Sequence, residues 1–171
     1  MPSTAKFFAN PVMPLMVVID DDPGTRLLVS QVLKKEGLQV MAAEDGEKGI
    51  ALIREHKPDL VVSDVQMPLM DGFEVLDQVK SDPALAATAV ILLTLLQERS
   101  YMRLGMTTEA DDYLTKPFAP QELREAVSAQ LNKRSNADDM RTEVREKAVR
   151  LALDEQRHKL VLFTKAAWFR R

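Results

Sequence analysis

The sequence predicts an α/β fold: a five-stranded, parallel, doubly wound sheet with helices on both faces, followed by a C-terminal helix. Short aliphatic runs alternate with stretches of helical spacing from residue 15 to residue 131, which is typical of parallel βαβ units. The runs are almost continuously apolar, as expected of strands that are covered on both faces. Right-handed crossovers between them give the doubly wound arrangement. The predicted strands are Leu15–Ile19, Gln39–Ala43, Leu60–Ser63, Ala89–Leu93 and Asp112–Leu114.

Five helices are predicted to connect and follow these strands. Gly37 ends the first helix, the second ends near His56, and Pro120 suits the first turn of the fifth. The fourth helix, 97–106, has the weakest pattern. The faces with helical spacing comprise Leu27, Leu28, Gln31, Val32 and Lys35; Ile50, Ile53 and Arg54; Phe73, Leu76, Val79 and Lys80; and Leu123, Ala126, Val127 and Leu131.

The composition of the 171 residues is that of a soluble globular protein, with 46% hydrophobic and 29% charged residues and a net charge of −3. The absence of cysteine excludes disulfides, thiolate zinc sites and thiol catalysis, and two histidines argue against a multi-histidine metal site. No apolar run approaches the ~20 residues of a membrane-spanning helix, and no secretory signal is recognisable, so a cytoplasmic protein is expected. Residues 1–131 carry 12 basic and 20 acidic side chains and residues 132–171 carry 11 and 6, which suggests two units with different roles.

Polar residues follow the predicted strands at their carboxyl ends, which is where ligand sites lie in doubly wound sheets. Asp20 and Asp21 follow the first strand, Asp64 the third, Thr94 the fourth and Lys116 the fifth. Neighbouring carboxylates repel one another unless a cation lies between them, and oxygen ligands without His or Cys indicate Mg²⁺. A hydroxyl and an ammonium facing such a cluster suit a phosphoryl group. Each residue alone would be an ordinary turn or surface residue, so the prediction depends on their combination.

Four segments of the chain resemble the receiver domains of two-component response regulators, which have the chemotaxis-regulator-like fold. The resemblance covers about 120 residues, 13–131, and its most specific part is the aspartate followed by x-x-Met-Pro-x-Met-Asp-Gly. It implies a flavodoxin-like strand order of 2-1-3-4-5. The segments are VVIDDDPGTR at 17–26, VVSDVQMPLMDGFEVL at 61–76, ILLT at 91–94 and DDYLTKPF at 111–118.

The resemblance implies that Asp64 accepts a phosphoryl group from a histidine kinase, a phosphotransfer protein or a small donor. It also implies that Mg²⁺ is the cofactor, bound by Asp21, Asp64 and the backbone carbonyl of Gln66, with Asp20 acting partly through water. The chain would then be no enzyme beyond its own phosphorylation and dephosphorylation. The phosphoryl group would be contacted or sensed by Thr94, Tyr113, Lys116 and Pro117, the last with a peptide bond that is commonly cis in this family.

Three positions that tune the phosphoryl lifetime in this family are Gln66, Leu95 and Leu96. Leu95 stands where most receivers have Ala or Gly. We therefore expect the larger side chain to restrict the access of water and to lengthen the lifetime.

The predicted organisation is an N-terminal tail (1–12), the receiver domain (13–131), a polar break (132–139) and a helical extension (140–171). The extension carries two sets of apolar residues that need a partner surface. It could dimerise, transmit a signal to an output domain that is absent, or dock on the receiver. The apolar residues are Met140, Val144 and Leu151, and Leu160, Phe163 and Trp168.

The expected partners are a histidine kinase or phosphotransfer protein, and a second copy bound through either the face from the fourth to the fifth helix or the C-terminal helix. Neither direct nucleic-acid binding nor a membrane span is expected. Three alternatives remain open: the receiver part of a longer regulator, a phosphorylation-independent adaptor, or a haloacid-dehalogenase-like phosphatase. The last would use Asp20 as nucleophile, although Gly24 stands where its motif requires Thr or Val.

Overall fold

The computed structural model describes residues 13–95 and 110–168, with side chains to residue 157. The predicted fourth helix, 97–106, lies outside the described residues, whereas every predicted strand and the other four helices lie within them. The strands are β1 (Leu15–Ile19), β2 (Gln39–Ala43), β3 (Leu60–Asp64), β4 (Ala89–Leu95) and β5 (Asp112–Lys116). The helices are α1 (Pro23–Lys35), α2 (Gly46–His56), α3 (Gly72–Ser81) and the C-terminal helix (Pro120–Trp168).

The five strands form one sheet in the order β2-β1-β3-β4-β5, and all neighbouring strands pair in parallel. The predicted fold class and strand order are therefore confirmed. The order reverses between β1 and β3, so the carboxyl ends of these two strands flank the crevice in which such sheets bind ligands.

The core lies in two layers, one on each face of the sheet, because successive strand residues point in opposite directions. Val17 and Ile19 of β1 belong to the layer that α2 and α3 cover. Met16 and Val18, by contrast, pack in the layer of α1 and the first turns of the C-terminal helix. Side chains on both faces of β1 are thus removed from water, which accounts for its continuous apolar sequence.

An aspartate caps each of the first three helices and fixes where it begins. Asp22, Asp45 and Asp71 accept hydrogen bonds from backbone amides of the first turn of α1, α2 and α3. Asp71 and Glu74 form a reciprocal capping box. These caps hold the chain directly after β1, β2 and the β3–α3 loop, at the carboxyl edge of the sheet.

The buried face of α1 differs from the predicted one. Val32 is buried as expected, but Leu27 and Leu28 are 59% and 44% exposed. Val29 and Leu33 are buried instead. The reason is that α1 has apolar residues on adjacent faces, so their spacing alone does not decide which face meets the sheet.

The chain divides into two compact units between Asn132 and Lys133. The C-terminal helix nevertheless runs without interruption through 132–139, where the sequence predicted a polar break. The prediction of a break in the helix was wrong because this stretch has no Gly or Pro. Its Asn, Ser and Asp residues each cost only up to about 0.7 kcal/mol of helix propensity relative to Ala.

In the second unit, the predicted apolar positions Met140, Val144 and Leu151 are all more than 60% exposed. Residues 160, 163 and 168 are helical, but their side chains lie outside the described part of the chain. Within the described residues, no helix combines the length and the apolar run that crossing a membrane requires.

Candidate functional site

Three carboxylates meet at the carboxyl edge of the sheet, on either side of the switch in strand order. Asp20 and Asp21 directly follow β1, and Asp64 is the last residue of β3. Each offers a carboxylate oxygen, and these oxygens lie within 4.8 Å of one another. Asp20 is fully buried, Asp64 is nearly so, and Asp21 is exposed. The cluster is therefore open to solvent on the side of Asp21.

The ammonium of Lys116 lies between two of these carboxylates. Lys116 ends β5, and its Nζ is 2.9 Å from Oδ2 of Asp20 and 2.9 Å from Oδ1 of Asp64. The Lys116–Pro117 peptide bond is cis, as the resemblance implied. One positive charge thus faces three carboxylates, which leaves an excess of negative charge at the site.

Two further hydrogen bonds to Asp20 fix the position of its backbone and its carboxylate. Its Oδ1 accepts the backbone N–H of Asp22 at 2.9 Å, and its carbonyl oxygen accepts Nη1 of Arg26 at 2.7 Å. The sequence reasoning missed Arg26. The available signal was a basic residue one turn into the helix that directly follows the acidic triplet.

The loop after Asp64 is packed so closely that only glycine fits at residue 72. A Cβ on Gly72 would lie 2.3 Å from the carbonyl oxygen of Asp64. The N–H of Gly72 donates to the carbonyl of Val65 at 2.9 Å, and the N–H of Val65 donates to Leu93 of β4 at 3.0 Å. These bonds fix the end of β3 and with it the Asp64 carboxylate.

The protonation of Asp64 and Lys116 reflects burial and their mutual contact. Burial raises the pKa of the Asp64 carboxyl above its usual value, although the hydrogen bond from Lys116 opposes this effect. Burial alone would lower the pKa of the Lys116 ammonium, but its hydrogen bonds with Asp64 and Asp20 outweigh burial and raise it. Lys116 is consequently charged at neutral pH, whereas the negative charge of Asp64 is less favourable than that of an exposed aspartate.

Thr94 and Leu95 are the last two residues of β4, and Tyr113 is the second residue of β5. Thr94 is fully buried, and its hydroxyl has no hydrogen-bond partner within the described part of the chain. Tyr113 of β5 is partly buried and packs against the core layer of α2 and α3. Leu95, which pairs in register with Lys116, is 42% exposed. A buried hydroxyl and a partly exposed leucine are therefore located at the carboxyl end of β4, the strand between β3 and β5.

The remaining predicted positions contribute less to the described geometry. The Gln66 side chain is exposed in the loop after β3, and its role as a carbonyl ligand stays a prediction. Leu96 lies outside the described residues. The positions predicted on the C-terminal helix belong to the second unit.

The donor set fits a hard divalent cation. Its ligand atoms are all carboxylate oxygens, which Mg²⁺ prefers, and the group includes neither His nor Cys. The raised pKa of Asp64 is a second sign of fit, because a group that burial disfavours as an anion is stabilised by an added positive charge.

Comparison with known proteins shows the family to which the chain belongs. The family model described as "Response regulator receiver domain" matches residues 16–128. The chain is 40% identical to the "DNA-binding dual master transcriptional regulator RpaA" of a Synechocystis strain over 121 residues. These residues are 71% of this chain and 50% of that protein. It is 35% identical to "Protein PilH" of Pseudomonas aeruginosa, over 70% of this chain and 98% of that one.

Solved structures agree with the family match. The chemotaxis response regulator CheY4 of Vibrio cholerae superposes with a TM-score of 0.65 at 29% identity, over 70% of this chain and 99% of that chain. The chain spans about half the length of RpaA and nearly all of PilH. The residues matched by the family model contain β1 from residue 16 onward, β2 to β5, and every member of the charged cluster. The chain belongs to the response regulator receiver family of two-component systems.

Proposed function

We propose that the chain is a phosphorylation-dependent switch in which Asp64 accepts a phosphoryl group. The observation that carries the proposal is the cluster itself: three carboxylates within 4.8 Å of one another, with the Lys116 ammonium 2.9 Å from the Asp64 carboxylate. An oxygen of Asp64 attacks phosphorus, a bond forms between them, and the bond from phosphorus to the donor nitrogen or oxygen breaks. The departing group leaves with the electron pair of that bond.

Asp20, Asp21, Asp64 and the backbone carbonyl of Gln66 would hold a Mg²⁺ ion. When bound, the ion offsets negative charge on the phosphoryl oxygens and on the carboxylates around them. Asp20 is well suited to a fixed ligand, because its buried carboxylate is already oriented by Asp22 and Lys116.

Lys116 stabilises negative charge before and after phosphoryl transfer in this mechanism. Its ammonium is a compact point charge that forms an ion pair with Asp64 before transfer and with a phosphoryl oxygen afterwards. Because its pKa is raised, the lysine keeps its proton throughout. It therefore stabilises charge and does not act as an acid or base.

Thr94 and Tyr113 would convert phosphorylation into a change of surface. The Thr94 hydroxyl lacks a partner among the described residues and can donate to a phosphoryl oxygen. Tyr113 then moves into the space that the threonine side chain leaves. The added charge of about −1.5 to −2 is thereby linked to the β4–β5 side of the sheet.

The phosphoryl donor that we propose is a histidine kinase or a phosphotransfer protein, as for two-component receivers in general. The site argues against the phosphatase alternative, because Asp20 would be its nucleophile. Asp20 is fully buried, and both of its carboxylate oxygens accept hydrogen bonds. A cytoplasmic location and the absence of direct nucleic-acid binding stay predictions.

The test is phosphorylation of the purified chain by acetyl phosphate with Mg²⁺, followed by intact mass spectrometry. We expect a single phosphoryl adduct that requires the metal and is lost from Asp64→Asn. Asp59→Asn is the matched control, since Asp59 is a carboxylate at the opposite edge of the sheet that accepts the N–H of Leu15. An adduct that persists in Asp64→Asn would refute the assignment, and an unmodified wild type would favour the adaptor alternative.

We also propose that the chain forms a homodimer, through the C-terminal helix or through the face that includes β5. The exposure of Met140, Val144 and Leu151 supports the first surface. Light scattering of the wild type and Asp64→Asn, with and without acetyl phosphate, separates the possibilities. A mass that doubles only on phosphorylation indicates a regulated dimer, a constant doubling indicates a fixed one, and a monomer throughout refutes this proposal.

A further inference from the structure

Two buried threonine hydroxyls at the carboxyl ends of β4 and β5 have no hydrogen-bond partner among the described residues. They are Oγ1 of Thr94 and Oγ1 of Thr115. Buried hydroxyls without partners are rare and destabilising in folded proteins. By contrast, the hydroxyl of Thr88, which is also buried, donates to the carbonyl of Pro58 at 3.1 Å. The chain can therefore satisfy a buried threonine, and the pair at 94 and 115 is an exception that calls for a reason.

The two threonines are direct neighbours across the β4–β5 ladder. Thr94 pairs in register with Thr115, and two residues earlier Leu92 pairs with Tyr113. Leu92 and Tyr113 both pack in the core layer of α2 and α3. Because side chains alternate along a strand, Thr94 and Thr115 project from that same face. Neighbouring strands lie about 4.8 Å apart, and threonines paired in this way can form a hydrogen bond with each other.

We propose that Thr115 is a positioning residue for Thr94: its hydroxyl donates to Oγ1 of Thr94 when Thr94 donates its own proton to the phosphoryl group on Asp64. This inference rests on the phosphorylation of Asp64 proposed above. A threonine hydroxyl has one proton and two acceptor lone pairs. A donor on one lone pair leaves the proton directed at the phosphoryl oxygen, and hydrogen bonds in such a chain strengthen one another.

The same arrangement accounts for the two hydroxyls that lack a partner among the described residues. Without a phosphoryl group, Thr94 has no anionic acceptor to face, and the bond between the threonines is not formed. Phosphorylation then supplies partners for both hydroxyls at once. The side chain two residues before Thr115 on the same strand face is Tyr113, so the new bond also links the phosphoryl group to the strand that carries the aromatic residue.

The inference predicts that Thr115→Val, which keeps the shape of the side chain and removes the hydroxyl, weakens the phosphorylated state and does not weaken the unphosphorylated one. Without a phosphoryl group, the variant loses a buried unpartnered hydroxyl, so its unfolding midpoint rises or stays unchanged. With a phosphoryl group, it loses the bond that orients Thr94, so the phosphorylated state is weakened. A purely structural role for Thr115 would shift both states alike.

The experiment measures the affinity of Mg²⁺-loaded protein for beryllium fluoride, a tetrahedral analogue of an aspartyl phosphate, by calorimetry. We expect Thr115→Val to bind the analogue about 3- to 10-fold more weakly than the wild type, the loss of one hydrogen bond. Thr115→Ser should restore the affinity, because serine keeps the hydroxyl. Thr88→Val is the control: it should lower the unfolding midpoint and leave the affinity unchanged.

Wild-type affinity in Thr115→Val overturns the inference. So does an equal loss in Thr115→Val and Thr115→Ser, since serine retains the donor. If the wild type binds no analogue and takes no phosphoryl group from acetyl phosphate, the proposed function fails and this inference fails with it. Intact mass measurement of the wild type separates that outcome from a failure confined to Thr115.

Discussion

Replacing Lys116 with methionine removes the positive charge that the structure places between two buried carboxylates. Nζ of Lys116 is 2.9 Å from oxygens of both Asp20 and Asp64, and its side chain is 20% exposed. Removing one partner of a fully buried ion pair costs about 3–5 kcal/mol. The partial exposure of the lysine reduces the cost here to about 2–3 kcal/mol.

The loss is measurable as a change in the unfolding midpoint. For a domain of this size, each kcal/mol corresponds to about 3–6 °C, so Lys116→Met should unfold about 6–18 °C below the wild type in the presence of a chelator. Asp64→Asn in the Lys116→Met background should recover part of the loss, because it removes one of the two uncompensated charges. Differential scanning calorimetry of the wild type, the two single variants and the double variant gives the coupling free energy between residues 64 and 116.

Mg²⁺ provides the complementary measurement. Without the lysine, the cation is the remaining positive charge at the cluster, so Mg²⁺ should raise the midpoint of Lys116→Met by more than it raises that of the wild type. An unchanged midpoint for Lys116→Met in chelator would refute the electrostatic account of the site. A further loss of stability on adding Asp64→Asn would refute it equally, since repulsion predicts a gain.

Three further predictions concern Gly72, Asp64 and Leu95. Gly72→Ala should cost about 1–3 kcal/mol and weaken Mg²⁺ binding, because its Cβ would lie 2.3 Å from the Asp64 carbonyl; Gly24→Ala, whose Cβ meets only the Asp22 side chain at 3.3 Å, is the control for calorimetry. The pKa of Asp64 is raised in the folded state, so this carboxyl destabilises the metal-free wild type increasingly as the pH rises from 3.8 through the folded-state pKa. Asp64→Asn should therefore have the larger free energy of unfolding at about pH 7. Urea titrations should show that the difference between the two proteins shrinks toward about pH 4. Leu95→Ala should shorten the phosphoryl lifetime in a single-turnover dephosphorylation assay, because the exposed leucine pairs with Lys116 and restricts the access of water; an unchanged rate would contradict this.

The sheet and the convergence of the charged residues could be predicted because both follow from local patterns and one topological rule. The predicted bounds of β1 and β2 agree with the structure, since continuous apolar runs there end at Asp20 and before Glu44. Parallel strands bring their carboxyl ends to one edge, so acidic residues far apart in the chain had to meet. The closeness of Asp20 and Asp64 also required β1 and β3 to be neighbours, which the resemblance to receiver domains implied.

Features that depend on packing could not be predicted in the same way. The buried face of α1 was ambiguous because Leu27 and Leu28 are as apolar as Val29 and Leu33, and only the three-dimensional position of the helix distinguishes them. Arg26 was missed because its partner is a backbone carbonyl, so its position in the first turn of α1 was the one signal that the sequence offered.

The uninterrupted C-terminal helix illustrates a different limit. Polar capping residues at 132–139 favour a helix end in isolation, but they stop a helix weakly when no Gly or Pro accompanies them. Strong helix formers on both sides of 132–139 then keep this stretch helical.

The charges at the carboxyl edge explain why the structure can respond to one phosphoryl group. Three carboxylates and one ammonium leave a formal charge of −2, which a single divalent cation neutralises. Phosphorylation replaces the charge of Asp64, −1, with about −1.5 to −2 and moves it beyond the carboxylate. The site then carries uncompensated negative charge beside the ends of β4 and β5. Neutral hydrogen-bond donors are available there, because Thr94 and Thr115 have no partner among the described residues. The charged residues that follow β1 and end β3 and β5 therefore serve to bind the cation and the phosphoryl group. The hydroxyls of Thr94 and Thr115 respond to phosphorylation.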